Sequence, residues 1–193
     1  MRRRIFIAIN LPESAKKRLL VWQKEKSLLF ERAGAADLAR WTKEHNLHLT
    51  LIFIGYVADQ QMVDICQAAK EIARKYQPFY IDFEKIVYGP PNKRPRLIWL
   101  EGQPNQEMTR LKNELENAFL SLKSLNSFRP QNRPFLPHIT LARLRAFGQA
   151  SRLPDIQCDF KMTAPVNSLE VMESELKRAG AEYTVLEKCL LGE

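Results

Sequence analysis

His-Leu-Thr-Leu at residues 48–51 and His-Ile-Thr-Leu at 138–141 are one pattern written twice, once in each half of the chain. Along an extended strand the side chains alternate faces, so each copy sets an imidazole beside a hydroxyl and turns two aliphatic residues the other way. A fold that accepts this must bury Leu49, Leu51, Ile139 and Leu141 behind His48, Thr50, His138 and Thr140. A single histidine on an apolar strand is ordinarily a satisfied core residue. The chain has three histidines in all, and a given one opens such a tetrapeptide roughly once in a thousand cases at ordinary residue frequencies. Chance does not account for two in three.

The flanking pattern places both copies on strands. Apolar runs or alternation predict strands over 3–10, within 37–46, over 47–55, 79–88, 96–102, 138–144, 156–164, 167–176 and 181–188. Helical spacing predicts helices over 12–31, 59–76 and 105–125. Pro12 suits a first helical turn, with Ala15, Leu19, Trp22 and Leu29 as the apolar stripe. No linker or low-complexity tract divides the chain, and hairpin-sized connections predominate later, so the class expected is α+β with mainly antiparallel pairing.

Bulk properties narrow the function. At 193 residues the chain can bury a core without disulfides or a metal staple. No apolar stretch has the length of a membrane span, and no signal peptide is expected after MRRRIFIAINLP. Cys66, Cys158 and Cys189 are odd in number and far apart, which reads as reduced thiols in a cytoplasmic protein. A net charge of +8 suits a polyanionic partner such as nucleic acid.

Two histidines with two hydroxyls make a recognisable acid–base set. Free imidazole titrates at about pH 6.5, so a pair can hold one neutral and one protonated ring near neutrality. The neutral ring acts as general base, the cation as general acid, and threonine hydroxyls donate to the oxygens of an anionic centre. Displacement at a phosphodiester needs that combination. A zinc site on His45 and His48 fails, because a three-residue offset points the rings to opposite faces and no cysteine or carboxylate cluster completes the ligands. His45 is expected on an exposed loop. No serine sits on a nucleophile elbow. No metal and no cofactor are expected.

These residues and their flanks resemble the 2H phosphoesterase superfamily, and within it the RNA 2′,3′-cyclic phosphodiesterases also known as 2′-5′ RNA ligases. FIAINLP resembles the opening strand, WTKEHNLHLTLIFIG the first motif, RLIWLEG a middle strand, RPFLPHITLAR the second motif and SELKRAGAEYTVL the closing hairpin. The resemblance implies a single domain over 1–193 made of two interleaved, pseudo-twofold-related lobes. Each lobe would be a mainly antiparallel sheet with outer helices, carrying one motif, with the active cleft between them. It implies metal-independent hydrolysis of a 2′,3′-cyclic phosphate, at an RNA 3′ end or on a small cyclic nucleotide, to a 2′-phosphate, by a monomer with no membrane partner. His48 would be the general acid for O3′, His138 the base for water, and Thr50 and Thr140 the phosphoryl donors. Symmetry lets either ring take either role, and the roles exchange in reverse. Reversible 2′-5′ ligation, or an RNA-end-binding module without catalysis, remain as alternatives.

Four further positions carry weaker expectations. Arg143 matches the arginine closing the second motif, yet strict alternation puts it opposite His138, so it needs a strand end or bulge to reach the cleft. Tyr88 is a candidate nucleobase platform. Phe6 and Trp99 are expected in the core. Arg94 and Arg96 would follow RNA phosphates or simply face solvent.

Overall fold

The computed structural model describes residues 2–91, 93–131, 135–145, 153–177 and 180–193. Nine strands form one curled sheet: β1 (Arg2–Asn10), β2 (Ala39–Trp41), β3 (His48–Ala58), β4 (Phe79–Gly89), β5 (Leu97–Gly102), β6 (His138–Leu144), β7 (Cys158–Val166), β8 (Ser168–Lys177) and β9 (Gly180–Leu190). Their order is β7-β4-β5-β6-β3-β1-β8-β9, with β2 paired to β6 and every pairing antiparallel. The sheet divides into two four-strand halves that meet where β6 touches β3 at the Leu49–Ile139 rung. Each half therefore has its His-Thr strand innermost.

Three helices complete the fold: α1 (Glu13–Arg32), α2 (Asp59–Ala73) and α3 (Gln106–Ser121). Pro12 is the N-cap rather than a residue of the first turn, with extended backbone at φ −64° and ψ 153°. The buried stripe of α1 runs Ala15, Leu19, Trp22, Gln23 and Phe30, so its last anchor is Phe30 in place of Leu29. In α3 the expected apolar stripe also carries a buried ion pair, Lys112 to Glu116 at 2.8 Å. α2 lies against α3, β8 and β9. Among the described residues no helix is long and apolar enough to cross a membrane.

Burial sets the register of the innermost strands. Leu49, Leu51, Ile52, Ile139, Leu141 and Ala142 are all in the main core. Slipping β3 by one residue would turn three of them outward, at about 1.5–3 kcal/mol for each large aliphatic side chain. That penalty holds the histidines on the open face.

Both strands depart from strict alternation at the same place. Opposite β1, Ile52 pairs with Ile7 and Thr50 with Ala8, leaving Leu51 bulged. Opposite β5, Ala142 pairs with Ile98 and Thr140 with Trp99, leaving Leu141 bulged. Two consecutive buried residues follow each threonine, and parity is reversed beyond them. A second bulge, between the Phe6–Phe53 and Ile5–Gly55 rungs, is accompanied by φ +100° at Gly55, a conformation glycine adopts without a Cβ clash.

Candidate active site

The bulges decide which side chains reach the open face. Arg143 is brought back to the side of His138 and Thr140, meeting the requirement that simple alternation could not. Phe53, five residues past His48 as Arg143 is five past His138, is returned in the same way and is 46% exposed. A cleft of about 710 Å³ is lined by both histidines, both threonines, Arg143 and Phe53. By antiparallel counting from the Leu49–Ile139 rung, His48 lies across from Thr140 and Thr50 across from His138.

Each imidazole is held by the carbonyl two residues before it. His48 Nδ1 is 2.8 Å from the Asn46 carbonyl oxygen, and His138 Nδ1 is 2.8 Å from that of Leu136. A carbonyl only accepts, so Nδ1 carries a proton in both rings and Nε2 is the atom available for chemistry. His48 Nε2 lies 3.0 Å from Thr50 Oγ1 and, in the neutral ring, accepts the threonine proton. Burial pushes the His48 pKa down to about 4, partly opposed by the bond to Asn46, with the charges of Arg143 and His138 lowering it further. In the empty cleft His48 is neutral at pH 7.

Asn46 is a positioning residue that sequence reasoning missed. Its backbone oxygen fixes His48 while its side-chain Nδ2 donates to the Ala181 carbonyl of β9 at 2.9 Å. Gln23 was missed as well. From the buried face of α1 it donates to the carbonyls of Leu141 at 2.7 Å and Thr42 at 3.1 Å. The only sequence signal was a polar residue inside an apolar helical stripe.

Phe6 and Trp99 are buried as expected, but they face the cleft. The Phe6 and His48 ring centroids are 5.1 Å apart, and those of Trp99 and His138 are 4.4 Å apart. Tyr183 completes the packing around His48 at 5.0 Å. Ala8, at the position of β1 that Trp99 holds on β5, leaves the room in which Phe6 and His48 meet. Tyr88 is not among the cleft residues; its hydroxyl donates to the Pro154 carbonyl at 2.6 Å. Arg96 lines the cleft, whereas Arg94 is exposed outside it. His45 is exposed in the short helical turn Glu44–Asn46. Arg133 and Pro134 of the second motif segment lie outside the described residues.

The model of the LigT-like phosphoesterases matches the chain twice, over residues 9–99 and 100–183. A curated RNA 2′,3′-cyclic phosphodiesterase of Thermus thermophilus is 31% identical over 189 residues, covering 96% of this chain and 88% of that protein. One of Thermotoga maritima is 28% identical, covering 96% and 94%. The crystal structure of TT0787 from Thermus thermophilus superposes with a TM-score of 0.82 at 29% identity, over 98% of each chain. E. coli LigT complexed with 3′-AMP gives 0.74 at 26% identity over the full length of both.

Proposed function

The chain belongs to the LigT-like phosphoesterases of the 2H family, and from that premise we propose that it opens the 2′,3′-cyclic phosphate of an RNA end to a 2′-phosphate. The convergence of two His-Thr pairs on one cleft supports this reading. His138 takes a proton from water as the water oxygen attacks phosphorus. The P–O3′ bond breaks, and His48 delivers a proton to O3′. Thr50, Thr140 and Arg143 stabilise the charge on the non-bridging oxygens. The residues supply base, acid and charge stabilisation without a metal.

The neutral state of His48 in the empty cleft fits the acid role once substrate is present. An anion within about 4–6 Å raises the pKa of a histidine by roughly 1–3 units, which brings a ring that starts at about 4 towards neutrality. Protonation also reverses the bond to Thr50. Nε2–H then donates to Oγ1, and the threonine proton is released towards the phosphate. The domain is read as one unit of two interleaved lobes, working as a monomer in the cytoplasm on RNA ends or cyclic nucleotides.

Phe53 serves in this reading as the stacking surface for a base, since every base has a π-face. The deciding experiment is product analysis after incubation with nucleoside 2′,3′-cyclic phosphates. A 2′-phosphate is expected, while intact substrate or a 3′-phosphate would contradict the proposal.

A further inference from the structure

The two ends of the cleft differ in chemistry. β3 and β6 run in opposite directions about the Leu49–Ile139 rung, so Phe53 and Arg143 lie at opposite ends. Beyond Thr50 and His138 comes an aromatic end, where Phe53 lies against Phe6 with ring centroids 6.1 Å apart. Beyond His48 and Thr140 comes a cationic end, where Arg143 pairs with Leu97 and Arg96 leads into β5. Arg96 makes no ion pair or side-chain hydrogen bond among the described residues. It stands three residues along β5 from Trp99, the partner of Thr140. At a strand rise of about 3.3 Å per residue that is roughly 10 Å, too far along the strand for its backbone to serve the phosphate at the histidines.

Ribose chemistry converts this asymmetry into a direction. In a 2′,3′-cyclic phosphate the base hangs from C1′, next to C2′, while the 5′ chain hangs from C4′, next to C3′. Base and 5′-phosphodiester therefore leave the cyclic phosphate on opposite sides. The geometry points to one binding polarity: the base of the terminal nucleotide stacks on Phe53 at the aromatic end, and its 5′-phosphodiester is held by Arg96 at the cationic end. O3′ then faces the His48 end and O2′ the His138 end. His48 protonates the leaving O3′, and the phosphate stays on O2′. This inference rests on the proposed hydrolysis and assigns the ligand class of each end: a nucleobase and a phosphodiester.

The test compares three substrates: ribose 2′,3′-cyclic phosphate, adenosine 2′,3′-cyclic phosphate, and a diadenosine dinucleotide ending in the same cyclic phosphate. Phe53→Ala should lower kcat/KM for both adenosine substrates by roughly tenfold or more and leave the ribose substrate unchanged, with Phe53→Tyr restoring the rate. Arg96→Gln should cost roughly threefold to tenfold on the dinucleotide alone. It should also remove about 0.7 from the slope of log kcat/KM against log salt for that substrate. Arg4, which lines the aromatic end, serves as the control. If Arg4→Gln impairs the dinucleotide and Arg96→Gln does not, the polarity is reversed and the inference fails. Active wild type with unchanged profiles in the Phe53 and Arg96 variants also sinks the polarity while sparing the hydrolysis. A wild-type protein inert on all three substrates removes both.

Discussion

Gln23 and Leu141 are joined across the core: the α1 side chain donates to the carbonyl of the bulged β6 residue at 2.7 Å. The bulge reverses parity and delivers Arg143 to the cleft, so this bond ties a helix that never touches substrate to the placement of a cleft arginine. Gln23→Leu should reduce stability by about 1–2 kcal/mol, the cost of a buried donor lost from two carbonyls. Urea unfolding measures this directly. An unchanged midpoint together with unchanged kcat would show that the bulge holds itself.

Removing either imidazole tests the acid–base pair. His48→Ala and His138→Ala should each lower kcat by about 10²- to 10⁴-fold on a 2′,3′-cyclic nucleotide, with circular dichroism and melting temperature close to wild type. Treating the wild-type protein with EDTA should leave the rate as it was. Full turnover by either variant would remove that histidine from the chemistry.

The environment of His48 has a signature in pH. Its folded pKa is about 4, lowered chiefly by burial, against about 6.5 in the unfolded chain. The unfolded chain therefore binds a proton between those values that the folded protein does not. Stability is highest above pH 6.5 and falls as pH drops towards 4, by up to about 3 kcal/mol. Denaturation across that range should show the slope, and His48→Gln should flatten it. NMR titration should place the ring near 4, rising when inorganic phosphate is added. Arg143→Gln should also raise it.

Gly89 supports the opposite ring. A Cβ at Gly89 would lie 2.6 Å from Trp99 Cε2, and the Trp99 ring packs 4.4 Å from that of His138. Gly89→Ala should drive the indole towards His138, destabilising the fold by about 1–3 kcal/mol and lowering kcat more than KM changes. A crystal structure of the variant with Trp99 and His138 unmoved, at wild-type rate, would refute this.

The pattern of hydrophobic alternation made most of the strands and helices legible, and the repeated tetrapeptide identified His48, Thr50, His138 and Thr140. Period-two reasoning broke down at Leu51 and Leu141. A bulge leaves no mark in composition, because an extra buried leucine reads like any other strand residue. The placement of Arg143 was therefore undecided and Phe53 went unnoticed, although both stand five residues past a histidine. Trp99 and Phe6 read as core because their burial is real; only the curl of the sheet turns that burial into a wall beside the imidazoles. Gln23 and Asn46 act through backbone carbonyls, and such partners are invisible until the chain is folded.

Strand order carries a further consequence for how the protein is made. β1 and β3, which carry His48, are completed by β8 and β9, and the whole of β4 to β7 lies between them in sequence. During synthesis the half bearing His138 can assemble first, while β1 waits with a bare edge for β8. Asn46 gains its anchor on Ala181 only when the closing hairpin arrives. A nascent chain still lacking β8 and β9 thus holds a half-built pocket, and competence to cut RNA comes near the end of translation.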